Sequence, residues 1–168
     1  ADSALVLSVT AGPDPRDRHS LPAGDVDWRR CLEGDLRGLR VAYSPDWGYV
    51  AVDPEVRRIA AAAARVFERE LGCHVEEASP GWEDPGAAFA ALVIADTDLR
   101  GLRELASRYE GRMSPHLVDW LRRPWTAEEL TDANMTRKAI VNRMWRFMAR
   151  YDLLLTPTLT VPPFAVHM

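Results

Sequence analysis

The chain has 168 residues, a length that suits one compact domain with a buried core. Apolar residues make up 47% and charged residues 27%, both ordinary for a globular protein, and the net charge is −4. This balance argues against binding to nucleic acid or to an anionic membrane, and no apolar run approaches the length of a membrane-spanning helix.

Residues 1–38 are predicted to form the end of a helix and a surface connection. Leu5, Val6 and Val9 share one helical face, and Gly12-Pro13-Asp14 ends the helix with turn-forming residues. The remainder of this segment is rich in Pro, Gly and Asp and has no sustained period. Because the chain lacks an initial Met and shows no signal-peptide pattern, we expect that it begins in mid-sequence or after processing.

Residues 39–78 carry the pattern of a strand, a helix and a second strand. The first strand covers residues 39–43, and the helix starts with Asp53 as N-cap and Pro54 at its first position. Gly72 is placed as the left-handed terminator of this helix, and residues 73–78 form the next strand. A crossover of this length predicts a parallel pair of strands.

Residues 79–150 are predicted to be helical. One helix opens at Asp84-Pro85, with helical character as far as about Leu105, and a short helix starts at Ser114-Pro115. A capping box at residues 126–129 begins a long helix that runs to about residue 150. Several apolar residues of this long helix are predicted core contacts: Leu130, Ala133, Ile140, Met144, Phe147 and Met148.

Residues 151–168 contain a last strand, residues 151–156, and a proline-rich exit. The run Leu153-Leu154-Leu155 is typical of a strand that is buried on both faces, and Pro157, Pro162 and Pro163 exclude regular structure beyond it. The predicted fold class is therefore α/β, a partial, mostly parallel sheet with helices packed on it. We expect the 168 residues to form a single incomplete domain.

A search for catalytic motifs finds little. The chain has no GxSxG elbow, no SxxK pair and no glycine-rich phosphate loop, and Lys138 is its only lysine. Adjacent carboxylates such as Glu76 and Glu77 would point to opposite faces of a strand, and Asp96 and Asp98 would not face each other on a helix. The spacing of the cysteines and histidines is not that of a metal site, so we expect no metal and no cofactor, and free thiols in a cytoplasmic protein.

Three residues are candidates for binding a substrate. Arg108 and Arg112 flank a turn between two helices, where a guanidinium group could bind a carboxylate or an amide oxygen; a surface salt bridge is the alternative. Trp125 comes just before a helix cap and could line a pocket, or it could pack one layer on another. No residue of the chain is a candidate for catalysis.

Three stretches together resemble the amidase-signature family, which includes amidases and the amidase-like component of glutamyl-tRNA amidotransferases. They are Ala11-Gly12-Pro13-Asp14-Pro15-Arg16-Asp17; Leu36-Arg37-Gly38-Leu39-Arg40-Val41-Ala42 with Val52-Asp53-Pro54-Glu55-Val56; and Tyr151-Asp152-Leu153-Leu154-Leu155-Thr156-Pro157. Their order and spacing are similar to the C-terminal part of the family's catalytic domain. The stretch Arg108 to Gly111 is also similar to a substrate-proximal segment of the amidotransferase branch.

The resemblance implies cleavage of a carboxamide, or ammonia transfer, by a serine nucleophile, a second serine and a lysine. It places all three before Ala1, so we expect the 168 residues to be inactive alone. The implied partner is a small-molecule amide, and strand edges left uncovered favour self-association. The alternative is a naturally short, non-catalytic binding or assembly module of the same fold. Neither the amide nor the choice between hydrolase and amidotransferase can be read from the sequence.

Overall fold

The computed structural model of the chain describes residues 1–17, 19–22 and 24–165. The chain separates into two compact units, Ala1–Arg37 and Gly38–Met168, close to the boundary predicted after residue 38. The first unit contains helix α1, Asp2–Thr10, and a short 3-10 helix, Arg30–Glu33. That the whole chain is one incomplete domain stays a prediction.

The second unit is built on a three-stranded sheet. Its strands are β1 (Arg40–Tyr43), β2 (His74–Glu77) and β3 (Leu153–Leu155), in the order β2-β1-β3. Both pairs are parallel, and the crossover predicted this for β1 with β2. The predicted α/β class with a parallel sheet is confirmed. The last strand is half-buried rather than buried on both faces, because it lies at an edge of the sheet within the described residues.

Helix α2, Pro54–Arg69, connects β1 to β2 and starts where the sequence predicts. The Asp53 side chain accepts a hydrogen bond from the Glu55 amide, and Gly72 has a positive φ of 69° beyond the helix end. Within this helix Ala64 is buried, whereas Ile59 is 54% exposed.

Two helices replace the continuous helix predicted from Asp84 to about Leu105. Helix α3 covers Gly86–Ala95 and helix α4 covers Leu99–Tyr109. Asp98 is the N-cap of α4, where its carboxylate accepts a hydrogen bond from the Gly101 amide. The prediction that Asp96 and Asp98 share one helix is wrong, because Asp96 ends α3 and the Asp98 cap starts a new one.

Helix α5 covers Pro115–Arg122, and helix α6 covers Ala127–Met148. The predicted capping box is present: the Thr126 hydroxyl accepts from the Glu129 amide, and the Glu129 carboxylate accepts from the Thr126 amide. Helix α6 ends two residues earlier than predicted. None of the helices in the described ranges is long and apolar enough to cross a membrane.

Two clusters of buried side chains lie in the described part of the second unit. One joins the sheet to the end of α6 through Ala42, Phe147 and Tyr151, with Met144 and Leu154 packed against it. The other joins α4 to α5 and consists of Ala106, Val118 and Leu121. The first cluster fixes the sheet, and therefore the loops that leave its carboxyl ends.

Candidate functional site

Two serines meet at the carboxyl end of the sheet. Ser44 follows β1 and Ser79 lies two residues beyond β2, and their Oγ atoms are 2.7 Å apart. Ser44 is completely buried. Since β1 and β2 are parallel, the residues that follow them both lie at the carboxyl end of the sheet. Open α/β sheets bind their ligands at this end.

Three side chains hold the loop that follows β1 by hydrogen bonds. The Ser44 hydroxyl accepts a hydrogen bond from the Trp47 amide at 3.0 Å, and Asp46 accepts one from the Gly48 amide at 3.0 Å. Arg57 of α2 donates to the other oxygen of Asp46 at 2.9 Å. The Gly48 amide and then the Arg57 guanidinium lower the pKa of Asp46, which keeps this carboxyl ionised at neutral pH.

An aromatic pair covers the loop. The rings of Trp47 and Trp82 are stacked, with centroids 5.5 Å apart and an interplanar angle of 25°. Both residues are half-buried, so that part of each side chain remains accessible. Trp47 has a φ of 58°, a left-handed conformation that is rare for a bulky side chain.

The Ser44 and Ser79 pair lacks what a serine nucleophile needs. Activation requires a base within hydrogen-bonding distance, and no lysine or histidine hydrogen-bonds to either hydroxyl in the described parts of the chain. Lys138 is exposed on α6. We interpret the serine pair as a connection between two loops.

The structure places Arg108 and Arg112 on the surface. Arg108 lies in the last turn of α4, with its guanidinium 5.4 Å from the centroid of the Tyr109 ring. Arg112 belongs to a 3-10 helix, Glu110–Arg112, and makes no ion pair with any described side chain. The ion pair of this turn uses Arg122, whose two terminal nitrogens lie 2.8 and 2.9 Å from the Glu110 carboxylate oxygens.

The charge interaction found in this turn is the one between Glu110 and Arg122. The Arg122 guanidinium lowers the pKa of Glu110 by hydrogen bonding and by its charge. The two candidate arginines are left outside this pair, with their guanidinium groups exposed. An exposed guanidinium can bind a carboxylate or an amide oxygen only weakly unless other groups enclose it.

Trp125 lines a small cavity between α3 and α6. The cavity has a volume of about 260 Å³ and includes Ala88, Ala91 and Asp132. The Trp125 indole donates a long hydrogen bond of 3.4 Å to the Trp120 carbonyl, and the Arg123 guanidinium lies 4.2 Å above its ring. Arg108 lines a separate, open depression on α4, so the structure does not bring the three candidates into one cavity.

The meeting of Ser44 and Ser79 at the carboxyl end of the sheet was not predicted from the sequence. Ser44 and Ser79 are 35 residues apart, and neither belongs to a motif. A usable signal was available, since both follow strands that are predicted to be parallel neighbours. Within the described ranges, no three His, Cys, Asp or Glu side chains come together in a group that could hold a metal ion.

Comparison with known proteins identifies relatives over the whole chain. The family model described as Amidase matches residues 1–168. The acylamidase of Rhodococcus erythropolis is 33% identical over 180 residues, which cover 99% of this chain and 35% of that protein. A glutamyl-tRNA(Gln) amidotransferase subunit of Desulforudis audaxviator is 38% identical over 121 residues, which cover 71% of this chain and 24% of that protein.

A solved structure is also similar. It is described as a bacterial aryl acylamidase of the amidase signature enzymes family, and it superposes with a TM-score of 0.84 at 26% identity. The similarity covers 97% of this chain and 35% of the other. The chain thus spans a quarter to about a third of the length of these relatives.

Proposed function

The chain belongs to the amidase family, the amidase-signature enzymes, and we propose that it is part of an enzyme that hydrolyses a carboxamide. In that reaction a serine attacks the amide carbonyl and the amine leaves, which forms an acyl-enzyme. Water then hydrolyses the acyl-enzyme to a carboxylic acid and frees the serine. The observation that carries the proposal is the end-to-end match to an acylamidase, 33% identical over 99% of the chain.

The role that we propose for residues 1–168 is structural support rather than bond cleavage. In the hydroxyl pair Ser44 is buried and Ser79 is half-buried, and no lysine or histidine among the described residues hydrogen-bonds to either hydroxyl. The single lysine, Lys138, is exposed. A nucleophile, a base and oxyanion donors must converge within hydrogen-bonding distance to lower the barrier. The serine nucleophile and its lysine would therefore come from a part of the protein outside these residues, and residues 1–168 alone would be inactive.

Substrate contacts are a second part of the proposal. Arg108 and Arg112 offer exposed guanidinium groups beside the Glu110 turn, and Trp125 offers an aromatic wall beside a cavity of about 260 Å³. Because these residues line no common cavity, we propose that they contact separate parts of a substrate or of the surrounding protein. The substrate would be a small-molecule amide, bound without a cofactor.

Ammonia transfer is the second candidate activity. It is favoured by the similarity to amidotransferase subunits, such as that of Desulforudis audaxviator, at 38% identity. That similarity covers 71% of the chain, whereas the acylamidase match covers 99%. Hydrolysis is therefore the first choice. A cytoplasmic location and the absence of nucleic-acid partners stay predictions.

We further propose that residues 1–168 self-associate when they are separated from the rest of their protein. β3 lies at a sheet edge, and a groove of about 440 Å³ beside it is lined mainly by apolar side chains of α2 and residues 157–163. Leu159 at this groove is 66% exposed. Open strand edges and contiguous apolar surface favour association.

A fluorophosphonate probe, which labels activated serines, tests the proposed function. The full-length protein that carries these residues is labelled, digested and mapped by mass spectrometry. We expect one labelled serine outside residues 1–168, and loss of amide hydrolysis in proportion to labelling. Labelling of Ser44 or Ser79 would contradict the assignment of the nucleophile, and an unlabelled protein without amidase activity would contradict the proposed function.

A further inference from the structure

The backbone conformation of Trp47 is unusual for its side chain. Its φ of 58° lies in the left-handed region, which glycine adopts without penalty but which a bulky residue rarely occupies. The following residue, Gly48, has a φ of 83° and is the kind of residue expected there. Strained residues of this type persist where the surroundings over-determine them, and they are concentrated at ligand-binding positions.

Several hydrogen bonds hold the backbone of Trp47 in this conformation. Its amide donates to the buried Ser44 hydroxyl, which is itself joined to Ser79 beyond the neighbouring strand. On its other side, Asp46 is fixed by the Gly48 amide and by Arg57 of α2. These contacts tie the loop to α2 and to the segments that follow β1 and β2, so they fix the backbone of Trp47, while the stacking on Trp82 holds its indole.

The indole of Trp47 lies at the carboxyl end of the sheet, where ligands are expected. The loop leaves the carboxyl end of β1, the central strand, and Trp82 approaches from the segment after β2. The two rings stack at 5.5 Å, and both residues stay half-buried rather than closed into the core. Trp82 therefore supports one side of the Trp47 indole and leaves accessible surface on the pair.

The chemistry of this surface favours an uncharged, flat group. The carboxylate of Asp46, which precedes Trp47, is paired with the Arg57 guanidinium, and the Ser44 hydroxyl accepts a hydrogen bond within the loop. What the pair offers is an aromatic surface on a rigid loop, which binds planar rings by stacking or by edge-to-face contact. A saturated ring of the same size lacks that interaction.

We propose that Trp47, supported by Trp82, is a specificity-determining residue that binds the aryl group of an aromatic amide substrate. The inference rests on the proposed amide hydrolysis. Trp47 takes no part in bond cleavage. It selects planar substrates through the strength of their binding.

Two matched pairs of substrates test this inference in the full-length enzyme. They are acetanilide with N-cyclohexylacetamide, and benzamide with cyclohexanecarboxamide, so that an aryl group on either side of the amide is sampled. Trp47→Gly keeps the left-handed backbone accessible and removes the indole. In at least one pair, we expect the variant to raise KM for the aryl amide about three- to tenfold, with KM for the cyclohexyl partner and kcat changed less than about twofold.

Three further variants separate binding from structure. Trp47→Phe should restore most of the aryl preference, and Trp82→Leu should lose part of it because the support for the indole is removed. Trp145→Ala removes a tryptophan that is exposed on α6 and should leave the preference unchanged. An active wild-type enzyme whose aryl preference is the same in Trp47→Gly would overturn this inference alone, whereas a wild-type protein inactive on all four amides would overturn the proposed function and this inference with it.

Discussion

The side chains of Asp152 and Arg40 join the two parallel strands β1 and β3 at their amino ends. The Asp152 carboxylate accepts a hydrogen bond of 2.8 Å from the Arg40 amide, and the Asp152 amide donates one of 2.7 Å to the Arg40 carbonyl. The Arg40 guanidinium reaches the same carboxylate at 3.3 Å. These residues are 112 positions apart, so the contact closes a long part of the chain.

The pH dependence of stability should report this contact. Hydrogen bonds from the Arg40 side chain and then from its amide lower the pKa of Asp152 in the folded protein. A lowered folded-state pKa contributes stability above the ordinary aspartate pKa of about 4, and this contribution is lost as the pH falls through the lowered value. The free energy of unfolding of wild type minus that of Asp152→Asn should therefore shrink from pH 7 to pH 3, measured by urea titration. A difference that stays constant over this range would contradict the assignment, and Arg40→Gln should show the same trend more weakly.

The hydrogen bond between Ser44 and Ser79 should stabilise the loops at the other end of the sheet. Ser79→Ala removes a partner of the buried Ser44 hydroxyl, and we expect a loss of about 1 to 2 kcal/mol in the free energy of unfolding. Ser107→Ala is the matched control, since Ser107 is exposed on α4. Equal stabilities of the two variants in chemical denaturation would show that the serine pair contributes nothing.

The capping box of α6 gives a prediction about the longest helix. Thr126→Ala removes the hydroxyl that accepts the Glu129 amide hydrogen, and it should destabilise the protein by about 1 kcal/mol. Thr136→Ala changes an exposed position inside the same helix, where alanine has the higher helix propensity, and should be neutral or slightly stabilising. Thermal unfolding of both variants checks the sign, and a less stable Thr136→Ala would argue against this account of α6.

Self-association of residues 1–168 should depend on the apolar groove beside β3. Leu159→Glu places a charge in this groove, and we expect it to shift the isolated segment toward a monomer of 18.9 kDa in light scattering. Leu21→Glu changes an exposed leucine of the first unit and serves as the control. A clean wild-type monomer would contradict the proposal directly.

The elements that could be predicted are those with signals inside one short stretch. Asp53 with Pro54, Gly72 and the capping box at Thr126 each fix a helix end through groups within four residues, and the structure has all of them. The parallel pairing of β1 with β2 followed from the length of the crossover.

The features that could not be predicted depend on contacts between distant residues, or on a single N-cap residue that starts a new helix. The break before α4 has no proline or glycine to mark it, and only the Asp98 cap reveals it. Burial of Ser44 and the left-handed conformation of Trp47 require Ser79 and Trp82, which lie 35 residues further along the chain. The candidates Arg108, Arg112 and Trp125 stay untested, because local sequence does not determine which surfaces face a substrate.

The proposal that residues 1–168 support amide hydrolysis without supplying the nucleophile can be tested on two proteins in one assay, the release of 4-nitroaniline from 4-nitroacetanilide. One is the full-length protein that carries these residues, and the other is residues 1–168 alone, at equal concentration. We expect release by the full-length protein and none above background by residues 1–168. Turnover by residues 1–168 would contradict the proposal that the nucleophile lies outside them, and no release of amine from any simple amide by the full-length protein would contradict the proposed amide hydrolysis itself.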